Sequence, residues 1–193
     1  MTNYYEPNEA SATERRDALA EFDRWNLRAL LSIWSLFGRA ETYIDFGSGS
    51  GAMVRFARAC GVDALGVDVI AEPPDRVHDL RRPLDLGRKF QLATCIEVAE
   101  HLSPESTDVF CNNIVSHMIE DGGWLVFTAA LPAQPGDNHV NLIPPFEWRS
   151  KLDDHGLTYH RDATLRLALL WNVTTGSLHH LPSNLQVFVR GTP

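Results

Sequence analysis

Three glycines at alternate positions constrain the fold of this chain more than any other feature. They lie in residues 45–51 (DFGSGSG), after a short apolar run over residues 42–47 that is typical of a buried strand. Residues 50–60 follow with a helical pattern. Glycine is needed where a backbone turns sharply, adopts a positive φ or approaches a ligand closely. Because the N-terminus of the next helix offers free N–H groups, the loop predicts a ligand-binding strand–turn–helix unit.

The alternation of strand and helix continues along the chain. Further strands are predicted at 64–69, around Val77, and at 90–96, 124–128, 157–160 and Leu185–Arg190, with helices from Pro104 to Gly122-Gly123 and at 146–155 and 162–171. This alternation predicts an α/β fold, a mostly parallel sheet with helices on both faces. Ligands of such sheets bind at the carboxyl ends of the strands, where each motif below is placed.

The first 38 residues are expected to lie outside this alternation. Residues 1–10 resemble a frayed tail, and Ser11 with Glu14 matches a capping box. Apolar residues then recur at helical spacing as far as Phe37, and Gly38 ends the segment. We therefore divide the chain into an N-terminal tail and helix, 1–38, and a ligand-binding domain, 39–193.

Composition excludes several classes of partner. The chain of 193 residues carries 17 basic and 25 acidic side chains, a net charge of −8. Such a charge gives no general attraction to nucleic acid or to anionic lipid. No apolar stretch is long enough to span a membrane, and the three cysteines lack metal-ligand spacing. A cytoplasmic protein without nucleic-acid or membrane partners is expected.

An acidic residue, Asp68, follows the second predicted strand, where a carboxylate can accept hydrogen bonds from both hydroxyls of a ribose. This much allows two cofactors, since Gly47-x-Gly49-x-x-Ala52 also fits a dinucleotide fingerprint. Asp45 would repel a pyrophosphate and suits a ligand with an ammonium group. S-adenosylmethionine has an ammonium group, a ribose and no phosphate, so it is favoured over a nicotinamide dinucleotide.

Several motifs in order resemble those of the class I S-adenosylmethionine-dependent methyltransferases, of the small-molecule type. The resemblance covers about residues 40–190. Residues 45–51 resemble the first motif of the family, Asp68 matches its ribose-binding acid, and residues 79–80 resemble its third-strand turn. Residues 95–102 (CIEVAEHL) resemble the stretch after the fourth strand, and residues 122–127 resemble the turn into the fifth strand. It implies a Rossmann-like three-layer sandwich with a seven-stranded sheet of order 3-2-1-4-5-7-6 and an antiparallel last strand.

The same resemblance implies which residues bind the cofactor. The glycine loop would lie under the methionine part, Val69 beside the adenine, and the carboxylate of Asp79 would face the adenine amino group. The complete implied set is Asp45, Gly47, Ser48, Gly49, Gly51, Asp68, Val69, Asp79, Leu80, Cys95, Ile96 and Glu97. The product would be S-adenosylhomocysteine.

Two histidines are candidates for proton removal from the acceptor. His101 follows the fourth strand, and Glu97, four residues earlier, would share a helical face with it. His139 lies in a polar loop after the fifth strand, which resembles stretches of small-molecule and sugar methyltransferases. There Asn138, Asn141 and Trp148 are expected to contact substrate. No metal site is expected, because neither histidine belongs to an HxxxH or HxH unit.

The predicted function is methyl transfer to an oxygen or nitrogen atom of a small molecule, such as a natural product, a sugar or a lipid precursor. Two alternatives remain open from the sequence. One is an NAD(P)-dependent oxidoreductase, and the other is a non-catalytic S-adenosylmethionine-binding partner protein. A homodimer is a candidate assembly.

Overall fold

The computed structural model describes the backbone of residues 12–174 and 181–191, and the side chains of those residues from 23 onward. The capping-box residues Ser11 and Glu14 and the predicted tail therefore fall outside the described backbone or side chains. The described elements are α1 (Ala12–Phe37), β1 (Thr42–Phe46), α2 (Ala52–Ala59), β2 (Asp63–Asp68), β3 (Arg76–Val77), β4 (Leu92–Ile96), α3 (Thr107–Ser116), β5 (Gly123–Thr128), α4 (Pro145–Asp154), β6 (Leu157–Tyr159), α5 (Arg161–Thr174), α6 (Leu181–Asn184) and β7 (Leu185–Arg190).

The strands form one seven-stranded sheet with the order β3-β2-β1-β4-β5-β7-β6. β7 is antiparallel to both of its neighbours, and every other pairing is parallel. The predicted order and the antiparallel last strand are thereby confirmed. The register places Asp45 of β1 between Gly66 of β2 and Thr94 of β4.

Both faces of the sheet are buried, as expected for a three-layer sandwich. Ile44 and Phe46 of β1 pack into the core on one face, with side chains of α3 and α4. Tyr43 points to the other face and packs with side chains of α1, α2 and α5. Because alternate residues of one strand are buried on opposite faces, helices must cover both.

Helix α1 packs onto the second of these faces. Trp25 contacts Trp171 of α5 edge to face, with ring centroids 5.4 Å apart. The helix ends at Phe37, and Gly38 follows with φ +80°, as the sequence predicted. None of the described helices is long and apolar enough to cross a membrane.

Helix α3 differs from its prediction at both ends. A 3-10 turn occupies Pro104–Ser106, and the α-helix ends at Ser116, six residues before Gly122. His117 ends it, because its Nδ1–H donates to the Asn113 carbonyl (2.6 Å) while its Nε2 accepts from the Leu86 N–H (3.1 Å). The chain then leaves the helix so that the His117 carbonyl can accept from the Phe90 N–H, just before β4.

Candidate active site

The glycine loop has the backbone geometry that only glycine adopts easily. Gly47, Gly49 and Gly51 have φ values of +77°, +51° and +74°. A Cβ on Gly47 would also lie 2.2 Å from the Val98 side chain, which follows β4. Gly47 is therefore required both for the turn and for the packing of two loops at one edge of the sheet.

Asp68 connects this loop to the end of β2. Its two carboxylate oxygens accept hydrogen bonds from the Gly49 N–H (2.9 Å) and the Ile70 N–H (3.1 Å). A cavity of about 380 Å³ opens beside the loop, between residues 48–51, Arg58 and residues 70–75. Asp68 thus lies beside the glycine loop, as the sequence predicted.

Asp45 lies at the C-terminal part of β1 and is buried. Its carboxylate accepts a hydrogen bond from the Thr94 hydroxyl (2.5 Å), which in turn accepts one from the Tyr43 hydroxyl (2.7 Å). Burial raises the pKa of Asp45 from its ordinary 3.8 to about 7, and the charges of Asp68 and Asp75 act in the same direction. A cation placed here would favour the ionised form. Thr94 and Tyr43 were not among the predicted site residues, although Tyr43 lies two positions before Asp45 on β1 and Thr94 faces Asp45 from β4.

Two exposed apolar side chains lie on the far side of Asp68. Val69 and Ile70 are 59% and 44% exposed. The third-strand turn is adjacent, since the His78 N–H donates to the Asp68 carbonyl (3.0 Å). The Arg81 guanidinium forms an ion pair with Asp79 and lowers the pKa of that carboxyl. This edge therefore combines an apolar surface with carboxylates, which suits a nucleoside.

The turn after β4 has an unusual backbone. Glu97 has φ +53°, and its N–H donates to the Thr128 hydroxyl (2.9 Å). Its carboxylate accepts from the amide of Asn184 (3.1 Å), just before β7. Backbone strain of this kind concentrates at functional sites.

Three polar side chains from two loops meet beyond this turn. One nitrogen each from His101 and His139 and one carboxylate oxygen of Glu100 lie within 4.8 Å of one another. The imidazole rings are 5.0 Å apart. Burial and the neighbouring His139 lower the pKa of His101, which favours its neutral form. The two predicted catalytic histidines are therefore brought together.

Glu100 is the buried member of this cluster and was not identified from the sequence. Its side chain has no exposed surface. Burial and the Glu97 carboxylate raise the pKa of Glu100 to about 8. The only signal in the sequence was a Glu-His pair following a buried strand.

The family of the chain follows from a match over most of its length. Residues 14–169 match the family model of a methyltransferase domain. The chain belongs to this methyltransferase family. The predicted membership of the class I S-adenosylmethionine-dependent methyltransferases is confirmed, which removes the oxidoreductase alternative. The sequence has no match among curated proteins.

Solved methyltransferase structures share the fold at low sequence identity. A sugar N-methyltransferase from a Streptoalloteichus species has a TM-score of 0.66 and 15% identity, over 100% of this chain and 98% of its own. Magnesium protoporphyrin IX methyltransferase from Synechocystis has a TM-score of 0.62 and 14% identity, over 98% of this chain and 88% of its own. The 1,6-didemethyltoxoflavin-N1-methyltransferase of Burkholderia thailandensis has a TM-score of 0.62 and 14% identity, over 97% of this chain and 94% of its own. These similarities establish the architecture of the methyltransferase.

Two residues that were predicted to contact substrate have buried side chains. Trp148 is 1% exposed and packs against Phe127 in the core, with ring centroids 5.2 Å apart. Asn141 is 4% exposed and donates to the Thr107 hydroxyl (3.2 Å). These two substrate assignments are corrected, because both side chains hold the fold together. The side chains of Cys95 and Leu80 are also in the core, so only their backbone can face a cofactor.

Asn138, the third residue predicted to contact substrate, lies at the surface of the loop after β5. Its φ is +57°, and its carbonyl accepts a hydrogen bond from His101 Nδ1 (3.3 Å). Its backbone therefore orients the imidazole, while its side chain is exposed.

Proposed function

We propose that this methyltransferase transfers the methyl group of S-adenosylmethionine to an oxygen or nitrogen atom of a small-molecule acceptor. A natural product, a sugar or a lipid precursor is the expected acceptor class. The observation that carries the proposal is the hydrogen bond from the Gly49 N–H to Asp68, because a carboxylate beside a backbone that a ligand can approach closely supports binding of a ribose.

The cofactor would extend along the carboxyl edge of the sheet. The ionised carboxylate of Asp45 would attract the ammonium group, and Asp68 would accept from the ribose hydroxyls. The adenine would cover Val69 and Ile70, which are exposed without a ligand. Covering them removes apolar surface from water, which stabilises the complex by about 25 cal/mol for each Å². Asp79 and the N–H of Leu80 complete the proposed adenine contacts.

The acceptor would bind where the loops after β4 and β5 meet. Methyl transfer is an in-line displacement at the sulfonium methyl, so positioning supplies much of the rate. A hydroxyl or protonated nitrogen must also lose a proton. The lowered pKa of His101 leaves its imidazole neutral near pH 7, in the form that accepts a proton. His101 and His139 are the proposed groups on this side.

The net charge of the protein and the substrates of similar proteins support a small acceptor. A net charge of −8 gives no attraction to a polyanion. The similar structures include methyltransferases of a sugar, a porphyrin and toxoflavin. We therefore expect a small acceptor rather than nucleic acid. Cytoplasmic location and a homodimeric assembly stay predictions.

Formation of S-adenosylhomocysteine tests the proposal directly. The full chain is incubated with S-adenosylmethionine and a panel of amino sugars, phenolic natural products and lipid precursors. We expect turnover with at least one acceptor, and a decrease of about 10²–10⁴-fold in His101→Ala if this imidazole removes the proton. His155→Ala is the matched control, since His155 lies on the C-terminal end of α4 beside Asn112.

Two results would contradict the proposal. Binding of S-adenosylmethionine without turnover on any acceptor would support the non-catalytic alternative. Turnover that His101→Ala leaves unchanged would exclude His101 as the base while keeping the reaction.

A further inference from the structure

The cluster of Glu100, His101 and His139 has the composition and spacing of a metal site. The three ligand atoms that it offers lie within 4.8 Å of one another. Glu100 and His101 belong to the 3-10 turn Ala99–His101, and His139 belongs to the loop after β5. A site built from two distant segments has no signature in local sequence spacing, which is why the absence of an HxxxH unit did not reveal it.

Hydrogen bonds to backbone carbonyls determine the tautomer of both imidazoles. His101 Nδ1 lies 3.3 Å from the Asn138 carbonyl, and His139 Nδ1 lies 3.2 Å from the Gln134 carbonyl. A carbonyl oxygen only accepts, so each Nδ1 must carry the hydrogen. The lone pair of each neutral imidazole is then on Nε2. Metal-binding histidines commonly donate their other N–H to a backbone carbonyl in this way.

The third ligand is a buried carboxylate without an ordinary hydrogen bond. The Glu100 side chain has no exposed surface, and its two oxygens have no hydrogen-bond partner of normal geometry among the described residues, although the N–H groups of Glu100 and Ala130 and the Glu97 carboxyl lie close to them. Buried carboxylates are normally paired or bound to a metal, because leaving one unpaired is costly. A cation between Glu100 and the two imidazoles would balance the charge of this carboxylate, which lies beside that of Glu97.

The two segments are fixed relative to one another before any ion binds. The Glu100 carbonyl accepts hydrogen bonds from the N–H groups of Val140 (2.8 Å) and Asn141 (3.0 Å). Gly136 lies against the imidazole of His139, since a Cβ on it would be 2.2 Å from the ring. The ligands are therefore positioned by the backbone, and little order has to be gained on binding.

We propose that Glu100, His101 and His139 bind one divalent first-row transition-metal ion. Two imidazoles and one carboxylate suit Zn²⁺, Co²⁺ or Fe²⁺ better than Mg²⁺ or Ca²⁺, which prefer oxygen ligands only. Three protein ligands leave coordination positions open, as in catalytic sites. Glu100 is buried and His101 is exposed, so the open positions face the outside of the molecule, where an acceptor can enter.

A role for the ion in catalysis rests on the proposed function. A bound hydroxyl of the acceptor would have a lowered pKa and lose its proton to solvent water. Its oxygen lone pair then forms the bond to the methyl carbon, while the carbon–sulfur bond breaks and its electron pair stays on sulfur. With the ion bound, the imidazoles act as its ligands, and the ion replaces His101 in assisting loss of the proton; the rest of the proposed function is unchanged. The reacting atom of the acceptor is then oxygen.

Cobalt titration of the full chain without a histidine tag tests the site. Co²⁺ bound to nitrogen ligands gives visible absorption bands, and we expect one ion per chain, displaced by Zn²⁺. Glu100→Gln keeps the shape of the side chain and removes its charge. We expect it and His139→Ala each to weaken binding by about tenfold or more, as lost metal-site interactions do. His155→Ala is the control and should bind as the unaltered protein does.

Further variants and a separate cofactor titration make each outcome decisive. Gly136→Ala, at a non-positive φ, should displace the His139 ring and weaken Co²⁺ binding without removing a ligand. An absent Co²⁺ spectrum, or equal affinity in Glu100→Gln and the unaltered protein, overturns the metal site. S-adenosylhomocysteine binding measured on the same samples reports on the proposed function alone, because Glu100→Gln leaves the glycine loop and Asp68 intact.

Discussion

Replacing the buried Asp45 by asparagine should stabilise the cofactor-free protein, and more so at higher pH. The folded state raises the pKa of this carboxyl from 3.8 to about 7, so the folded protein holds a proton that the unfolded chain has lost. The free energy of unfolding is therefore highest below pH 3.8 and falls as the pH rises to about 7. The full loss corresponds to about 4 kcal/mol.

Urea denaturation followed by tryptophan fluorescence measures this effect. About 2 kcal/mol of the loss falls between pH 5.5 and pH 8.5, because the unfolded carboxyl is ionised throughout while the folded one titrates. The difference in unfolding free energy between Asp45→Asn and the unaltered protein should grow by that amount. The asparagine can still accept the hydrogen bond from Thr94, so the local structure should persist.

The comparison includes its own control. Other groups titrate over the same range in both proteins and cancel in the difference. The exposed Asp153, replaced by asparagine, is the matched control for the substitution itself. A difference for Asp45→Asn that stays constant from pH 5.5 to pH 8.5 would refute the reasoning, since it would mean that this carboxyl does not titrate there.

Three further predictions concern the same edge of the sheet and the core beneath it. Gly47→Ala should abolish cofactor binding or folding, because its Cβ would lie 2.2 Å from Val98. Gly87→Ala is the control, since Gly87 also has a positive φ but its Cβ would have no atom within 4 Å. This control should lower the unfolding free energy by only about 1 kcal/mol, as thermal denaturation can measure. Trp148→Ala should destabilise the fold by about 3–5 kcal/mol and leave the acceptor KM of the folded protein unchanged, whereas a raised KM would restore it as a substrate contact. The affinity for S-adenosylhomocysteine should fall by up to about tenfold per pH unit below about 7, as calorimetry can measure, and Asp45→Asn should remove this dependence.

Local signals predicted the architecture well. Strand β7 occupies the predicted residues Leu185–Arg190, and the other strands end within one or two residues of their predictions. Buried parallel strands are continuous apolar runs bounded by turns, so a short segment of sequence is enough to predict their positions. The strand order came from the family resemblance, because pairing of distant strands leaves no local signal.

Side chains positioned by distant contacts could not be predicted in this way. His101 and His139 are 38 positions apart and meet because the Glu100 carbonyl binds the N–H groups of the loop after β5. The sequence around Trp148 fits a residue of the core as well as a residue that lines a substrate pocket. Only the packing of Phe110 and Phe127 against it decides between the two. Helix α3 ended early for a similar reason, since the ring of His117 binds two segments at once.

Binding of S-adenosylmethionine-type ligands at Asp68 is tested by a calorimetric titration of the protein and of Asp68→Ala with S-adenosylhomocysteine, with NAD as the competing ligand. We expect one binding site per chain, lost in Asp68→Ala because the ribose hydroxyls and the Gly49 N–H lose their shared acceptor. We expect no binding of NAD. Binding of NAD alone, or binding of S-adenosylhomocysteine that Asp68→Ala leaves unchanged, would contradict this expectation.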